Sequence, residues 1–279
     1  MVRLLCLHGA ASNSGVTRLQ LEVLGLTDPA DAIEFDCLEA PFPAPAGSPA
    51  PAVGGAGRSW LGHAESAAEA SAELETSLRH VVAHAAAHGP YDGAFGFSQG
   101  AAVLTLLSDG AVCATLGWRH SEPPWRFAVL ACGVDLSYYC TALADRASPS
   151  RVTLPSLHII GSADGLRGYS EGLLARFDNP RALRHPWGHS LPIELAGHEG
   201  GRLVAAVRAF IVSGSQRGDS GSSQRAKATA PPRTRRGSWE GVAVACLTAS
   251  ARSLRALSAA LPLLLPTIVV AIVLMLERA

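Results

Sequence analysis

The pentapeptide Gly96–Gly100, which reads G-F-S-Q-G, constrains the fold of this chain more than any other stretch. It ends Tyr91–Phe97, an apolar run suited to a buried strand, and precedes Ala101–Leu107, which suits a buried helix. A G-x-S-x-G pattern between strand and helix is typical of a sharp turn that exposes a nucleophilic serine. The turn strains the backbone of Ser98, so only small neighbours fit beside it. The helix start directs N–H groups towards any oxyanion that forms there.

Apolar runs of strand length alternate with helical segments over residues 1–212, which we expect to form one domain. The predicted strands are Val2–Leu7, Ile33–Leu38, Tyr91–Phe97, Phe127–Cys132, Pro155–Ile160 and Ala182–His185. The predicted helices are Thr17–Leu26, Ala64–His88, Ala101–Leu107, Ser170–Phe177 and Glu199–Val212. This alternation predicts an α/β fold with a mainly parallel, doubly wound sheet that carries helices on both faces.

Composition argues against several classes of function. Lys and Arg together number 23, as do Asp and Glu, so no excess of positive charge indicates a nucleic-acid partner. The six cysteines are scattered without a C-x-x-C pair, and no signal peptide precedes the first apolar strand. We therefore expect reduced thiols and a cytosolic location.

Three polar residues lie at the ends of predicted strands in the order Ser98, Asp164, His189. A serine hydroxyl needs a base to take its proton and a carboxylate to orient that base. This order and these positions predict a catalytic triad. The alternatives are that Asp164 is a helix cap or turn residue and that His189 is an ordinary loop histidine. Weaker candidates for the base are His8, His158, His185 and His198.

The end of the first predicted strand offers an oxyanion donor. His8-Gly9 follows Val2–Leu7, and a His-Gly at this point often places the next backbone N–H beside the nucleophilic serine. That N–H belongs to Ala10. The alternative is a plain turn that only ends the strand.

Pro41–Gly57 is rich in Pro, Ala and Gly, which predicts a long loop without regular structure. Because the loop follows a predicted strand, we expect it to overhang Ser98 at the edge where such sheets bind ligands. It would then be a lid or substrate wall, and the alternative is a disordered insertion.

Three histidines, His80, His84 and His88, recur at four-residue spacing on the predicted helix Ala64–His88. This spacing is compatible with metal binding, but the H-E-x-x-H motif requires a glutamate where Val81 stands. We therefore interpret the histidines as a solvent-facing stripe, and we expect no metal and no cofactor.

Five short segments together resemble the FSH family of serine hydrolases. They are Leu4–Gly9, Glu39–Pro41, Gly89–Ala102, Ser156–Asp164 and His185–Pro192. The resemblance implies an α/β-hydrolase fold with Ser98 as nucleophile, Asp164 as acid and His189 as base. It also implies that the backbone N–H groups of Gln99 and Ala10 form the oxyanion hole.

The resemblance covers about residues 1–212, with three departures from the family pattern. Ala10 stands where a bulky residue is usual, Glu39 replaces the Asp of the family's D-A-P, and Trp187 stands where a small residue is frequent. The resemblance implies a serine hydrolase that cleaves small carboxylic esters or acyl thioesters. The departures leave its substrate preference open, and the sequence leaves the oligomeric state open. The alternative is a catalytically inactive, membrane-tethered binding module with the same fold.

The last quarter of the chain differs in composition from the rest. Residues 213–251 are predicted to form a flexible linker, because Ser213–Arg236 within them is rich in Ser, Gly, Arg and Pro. Within 252–279, Ala256–Leu276 is 21 residues without a charge, long enough to span a bilayer as a C-terminal apolar helix. Basic residues before it predict a tail anchor with the hydrolase domain facing the cytosol. The alternatives are an apolar helix docked on the domain and an incorrectly assigned end of the reading frame.

Overall fold

Strands and helices alternate along the chain and build one parallel sheet between layers of helices. The computed structural model describes residues 1–28, 32–51, 53–62, 64–120, 122–135, 151–191 and 198–216. Within these ranges the strands are β1 (Val2–Leu7), β2 (Ile33–Leu38), β3 (Phe42–Pro43), β4 (Arg58–Ser59), β5 (Gly93–Phe97), β6 (Ala128–Ala131), β7 (Ser156–Gly161) and β8 (Pro180–His185). The helices are α1 (Ser14–Val23), α2 (Ala67–His88), α3 (Gln99–Leu107), α4 (Gly110–Thr115), α5 (Arg167–Leu174) and α6 (His198–Gln216).

The six-stranded sheet has the order β2-β1-β5-β6-β7-β8, and its neighbouring strands are parallel. The chain runs from β1 outward to β2 at one edge, then returns through α2 to β5 on the other side of β1. The strand order therefore reverses between β1 and β5, and sheets of this kind bind ligands in the crevice at the carboxyl ends of such a pair. Ser98 follows β5 and Ala10 comes soon after β1, so both lie at this crevice.

Each face of the sheet is covered by its own hydrophobic core. On one face, Leu5 of β1 belongs to a buried cluster that includes Leu78 of α2. On the other face, Leu4 of β1 belongs to a cluster that includes Leu21 of α1 and Val207 of α6. Successive residues of a strand point to opposite faces, so β1 contributes to both cores. The predicted α/β architecture, with helices on both faces of a parallel sheet, is confirmed.

All five predicted helices start at residues other than those predicted, and caps explain the differences of α1 and α2. α1 begins earlier than predicted, at Ser14, since Asn13 Oδ1 accepts a 2.9 Å hydrogen bond from Val16 N. α2 begins later than predicted, since Ser66 and Glu69 form a capping box. β1 and β2 have the predicted bounds, and the other four predicted strands shift at their ends by one or two residues. The short helix α4 has no counterpart among the predicted helices.

The prediction that Pro41–Gly57 has no regular structure is wrong at its start. β3 lies inside this segment and pairs antiparallel with β4. The Arg58 guanidinium stabilises the pair, because it donates to the backbone oxygens of Ala40 at 2.9 Å and Pro41 at 2.6 Å. Because these contacts join Arg58 to carbonyls distant in the sequence, no periodic pattern of residues predicts the strand pair.

The chain beyond Gln216 lies outside the described residues. α6 extends past its predicted end at Val212, so the first residues of the predicted linker 213–251 are helical. The rest of that linker, the segment 252–279 and the predicted C-terminal apolar helix within it fall outside the described residues. Among the helices that are described, none is long and apolar enough to cross a membrane.

Candidate active site

Ser98 lies on the sharp turn between β5 and α3, with a φ of 52° and a ψ of −112°. A positive φ is uncommon for a residue that carries a side chain, so surrounding contacts must hold it. The Ser98 N–H donates to Ala131 O at 2.9 Å, and the Ser98 carbonyl accepts from Ala101 N at 3.1 Å. These contacts fix a residue that is only 7% exposed at the carboxyl end of the sheet.

The two glycines of the pentapeptide are required by close contacts. A Cβ atom on Gly96 would lie 2.8 Å from Ala101 N, and one on Gly100 would lie 2.5 Å from Leu7 O. Such distances are too short for any side chain, and the opposing atoms are backbone. The strain of the turn is therefore carried by Ser98, while the glycines let β1 and α3 approach it.

We expect Gly100→Ala to lower the free energy of unfolding by about 1–3 kcal/mol, the usual cost of overpacking. The added Cβ would meet Leu7 O at 2.5 Å and His8 O at 2.7 Å, and neither oxygen can rotate away. The matched control is Gly172→Ala in α5, where a Cβ meets nothing within 4 Å. The control should be neutral or stabilising, because alanine favours a helix. Urea denaturation measures both, and equal midpoints for the two variants would contradict this account.

The structure brings Ser98, His189 and Asp164 into one chain of hydrogen bonds. His189 Nε2 lies 2.9 Å from Ser98 Oγ, and His189 Nδ1 lies 2.8 Å from Asp164 Oδ2. Asp164 follows β7, and its other oxygen accepts from Leu166 N at 2.7 Å. The side chain of Asp164 is 1% exposed and that of His189 is 20% exposed. The carboxylate is thus shielded from water, while the imidazole reaches the surface.

Asp164 is held in its ionised form. Burial alone would raise the pKa of Asp164, but the hydrogen bond and charge of His189 and the N–H of Leu166 bring this pKa below its ordinary value. An ionised carboxylate only accepts hydrogen bonds, so His189 donates Nδ1–H to it. His189 Nε2 is then an acceptor for the hydroxyl proton of Ser98.

The other histidines considered as bases lie elsewhere. His8 is buried. Its Nδ1–H donates to Gly9 O at 2.7 Å, and its Nε2 accepts a hydrogen bond from Ala40 N at 3.1 Å. His158 is buried in β7, where burial lowers its pKa to about 4. His185 is buried at the end of β8, and neither of its ring nitrogens has a hydrogen-bond partner among the residues that the structure describes. The side chain of His198 is not among those described. None of the three described rings makes a hydrogen bond to the serine.

The two backbone N–H groups expected to bind an oxyanion lie next to Ser98. Gln99 is the first residue of α3, where N–H groups have no partner within the helix. Ala10 follows Gly9, and a Cβ on Gly9 would lie 3.4 Å from Ser98 Cβ, so this turn packs against the serine. The hydrogen bonds of the described residues use neither N–H group.

Ser59 and Trp60, which are not among the predicted site residues, brace both of these segments. Ser59 Oγ accepts from Ala11 N at 3.0 Å, and Trp60 Nε1 donates to His8 O at 2.8 Å. The Trp60 N–H also donates to Gln99 Oε1 at 2.6 Å. Ser59 and Trp60 are 1% and 0% exposed. The sequence gives only one sign of this role, a tryptophan that follows a predicted loop. Its hydrogen-bond partners lie far away along the chain, so no local pattern indicates them.

We expect Trp60→Phe to destabilise the fold by about 1–3 kcal/mol, because it leaves the buried carbonyl of His8 without its donor. The matched control is Trp118→Phe, whose Nε1–H donates to Glu122 O at 2.8 Å at an exposed site. Water replaces that donor, so the control should lose little stability. Thermal unfolding compares the two variants, and equal losses would refute a bracing role for Trp60.

The loop Pro41–Gly57 lies against the turn that follows β1. Asn13 Nδ2 donates to Val53 O at 2.8 Å, and Ala44 N donates to Gly57 O at 2.8 Å. The loop therefore neighbours the segment that carries Ala10. The predicted overhang of the nucleophile stays a prediction, since a contact between this loop and Ser98 is not among the described interactions.

His80, His84 and His88 do not converge on a common point. His80 Nε2–H donates to Glu39 O at 2.9 Å, and His84 Nε2 lies 3.1 Å from Asp36 Oδ2. His80 and His84 are half-buried, and His88 is exposed. The predicted solvent-facing stripe is therefore wrong for His80 and His84, which face β2 and the chain that follows it.

Cys132 lies beside the hydrogen-bonded side chains of Asp164 and His189. It follows β6 with a φ of 46°, and its Sγ donates to Ser190 O at 3.4 Å. The sulfur, a carboxylate oxygen and an imidazole nitrogen lie within 4.8 Å of one another, as metal ligands do. However, burial and the charge of Asp164 raise the pKa of the Cys132 thiol to about 12, so it stays protonated. These features fit a neutral thiol that supports the loop carrying His189.

The sequence is similar to known serine hydrolases. The family model described as serine hydrolase (FSH1) matches residues 1–198. Esterase FPY3 of Fusarium mangiferae is 29% identical over 213 residues, which cover 71% of this chain and 88% of that protein. Esterase OVCA2 of Xenopus tropicalis is 34% identical over 107 residues, which cover 37% of this chain and 42% of that protein.

The fold is similar to that of a solved thioesterase. Acyl-protein thioesterase 2 of Zea mays has a TM-score of 0.51 and 20% identity, with 75% of this chain and 94% of that chain covered. At this identity the likeness concerns the fold alone. It agrees with the α/β-hydrolase architecture expected from the sequence.

Proposed function

Because this chain belongs to the FSH1 family of serine hydrolases, we propose that it cleaves carboxylic esters or acyl thioesters through an acyl-enzyme on Ser98. The observation that carries the proposal is the hydrogen-bond chain from Ser98 Oγ through His189 to Asp164, with distances of 2.9 Å and 2.8 Å. This arrangement supports Ser98 as the nucleophile, His189 as the base and Asp164 as the acid that orients it.

Acylation begins when His189 Nε2 takes the proton of Ser98 Oγ and the oxygen attacks the acyl carbon. The carbonyl oxygen becomes an oxyanion, which the N–H groups of Gln99 and Ala10 stabilise. The ionised Asp164 stabilises the imidazolium that has formed. His189 then returns its proton to the leaving alcohol or thiol, and the acyl group stays on the serine.

Deacylation repeats these steps with water as the nucleophile. His189 Nε2 takes a proton from water, the hydroxide attacks the acyl carbon, and the same two N–H groups bind the second oxyanion. When the intermediate collapses, His189 protonates Ser98 Oγ and the carboxylic acid leaves. Every proton and charge in this cycle is handled by side chains and backbone of the chain itself, so the proposal includes no cofactor.

A panel of matched substrates tests this function. Oxygen esters and coenzyme A thioesters that carry the same acyl groups, from acetyl to palmitoyl, are compared by kcat/KM. We expect saturable turnover within the panel, and the ratio of ester to thioester turnover at one chain length identifies the leaving group. A folded protein that turns over no member would favour the alternative, an inactive binding module with this fold.

We also propose that residues 252–279 anchor the hydrolase domain to a membrane on its cytosolic side. The support is the uncharged stretch Ala256–Leu276 and the arginines before it, which are properties of the sequence. A tethered enzyme meets acyl substrates in the bilayer at a raised effective concentration.

Deletion of Arg252–Ala279 is expected to move the protein from the membrane pellet to the supernatant after carbonate extraction. Its rate on short esters in solution should hardly change, while its rate on long-chain esters in vesicles should fall. Full-length protein in the supernatant would contradict the anchor. Loss of activity on short esters would instead show that the segment belongs to the folded domain.

A further inference from the structure

Cys6 of β1 and Cys37 of β2 are direct partners in the register of the parallel sheet. Both also lie on the same face, since Cys6 belongs to the cluster that contains Leu4, and Cys37 packs against that cluster together with Phe35. This placement follows from the period of two in each strand. It brings two thiols side by side that are far apart in the sequence.

The separation of this pair suits a covalent bond. Neighbouring strands lie about 4.7–4.9 Å apart, within the Cα separation of about 4.4–6.8 Å that disulfides show. The two thiols already interact, since each shifts the ionisation of the other. All four cysteines in the described part of the chain are free thiols, and the other two, Cys113 in α4 and Cys132 just after β6, lie elsewhere in the fold.

The two thiols differ in access and reactivity. Cys37 is half-buried on the edge strand β2, whereas Cys6 is 0% exposed. Hydrogen bonding with the Cys6 thiol lowers the pKa of Cys37, and the charge of Arg18 adds to this effect against the burial that raises it. Burial raises the pKa of Cys6 well above its ordinary value. Cys37 is thus the attacking thiol and Cys6 the resolving one.

We propose that Cys6 and Cys37 form a redox-active dithiol, which a hydroperoxide converts into an intramolecular disulfide. The Cys37 thiol loses its proton, its thiolate attacks the peroxide, and the O–O bond breaks. Cys37 becomes a sulfenic acid, and the displaced hydroxide takes up that proton and leaves as one water. The Cys6 sulfur then attacks the sulfenic sulfur, and the displaced hydroxide leaves with the Cys6 proton as a second water. Two thiols lose two electrons and two protons, and hydrogen peroxide is reduced to two waters.

The disulfide should be easily reduced. Cβ atoms of directly paired residues on parallel strands lie about as far apart as the strands, slightly more than the roughly 3.5–4.5 Å of a relaxed disulfide. Closing the bond therefore strains β1 and β2, and strained disulfides have higher reduction potentials. This property fits a reversible modification rather than a structural cross-link.

The test is peptide mapping of the full-length, reduced protein after exposure to hydrogen peroxide, without reducing agent. We expect the protein to lose the mass of two hydrogen atoms, with a cross-linked peptide pair that contains Cys6 and Cys37. Dithiothreitol should restore the original mass. The measurement needs no enzymatic activity, so its result is independent of the proposed hydrolase function.

Two variants identify the sulfurs. Cys37→Ser should abolish the cross-linked pair, and Cys113→Ser, which removes a buried thiol in α4, should retain it. The proposal is overturned if oxidised wild-type protein carries Cys37 only as a free thiol or as sulfinic or sulfonic acid. It is equally overturned if Cys37 is joined to a cysteine other than Cys6.

Discussion

Replacing Ser98 with alanine should lower kcat on a short p-nitrophenyl ester by about 10⁴- to 10⁶-fold, the loss seen when a serine hydrolase is deprived of its nucleophile. The change removes one atom, Oγ, which makes the 2.9 Å hydrogen bond to His189. The turn should keep its shape, because serine and alanine have similar costs at the φ of 52° and the backbone contacts are unchanged. Steady-state kinetics at saturating ester measures the loss.

The control for this variant is Ser162→Ala, an exposed serine that follows β7 two residues before Asp164. Its hydroxyl takes part in none of the hydrogen bonds of the described residues, so kcat should hardly change. Circular dichroism and thermal unfolding check that both variants fold. A folded Ser98→Ala protein with wild-type turnover would show that another group performs the hydrolysis.

Asp164→Asn should lower kcat by about 10⁴-fold, although the asparagine side chain has nearly the same size and shape as the aspartate side chain. The carboxylate fixes Nδ1–H on His189 through a 2.8 Å hydrogen bond, which leaves Nε2 to accept the proton of Ser98. An asparagine amide can instead donate to Nδ1 and move the ring proton to Nε2, where it blocks that acceptance. The amide also fails to stabilise the imidazolium during acylation.

The matched control is Asp178→Asn, whose carboxylate pairs with Arg151 at 2.8 Å and is 38% exposed. Exposed pairs contribute about 0–1 kcal/mol, so this variant should keep its activity and most of its stability. Equal turnover for Asp164→Asn and Asp178→Asn would contradict the assignment of Asp164 as the orienting acid. A loss of turnover in Asp164→Asn that results only from unfolding would also contradict this assignment. The thermal midpoint of the variant distinguishes unfolding from a loss of catalysis in the folded protein.

Much of the sheet could be predicted from the sequence because parallel strands buried on both faces appear as continuous apolar runs. β1 has the predicted bounds for this reason, whereas the edge strand β2 could be predicted because apolar residues alternate with Glu34 and Asp36. Ser98, Asp164 and His189 could be singled out together because each follows a strand whose carboxyl end faces the same crevice. The contacts among them are a property of the folded chain, and their roles in catalysis remain a proposal.

Features that depend on partners distant in sequence could not be predicted. Trp60 braces His8 and Gln99 through hydrogen bonds that span many residues, and no local pattern encodes them. The helical spacing of His84 predicts a surface residue, because it gives no sign of Asp36 on β2. Short elements such as β3 could not be predicted either, since the pattern of two residues is too short to indicate a strand.

The central claim is that Ser98 is an activated nucleophile, and labelling with a fluorophosphonate tests it most directly. The probe reacts with a serine whose hydroxyl is deprotonated by a neighbouring base, independently of the natural acyl substrate. Mass spectrometry of the digested protein should find the label on Ser98 in wild-type protein and no label in Ser98→Ala. A folded wild-type protein that never reacts, or that carries the label on another serine, would contradict the account.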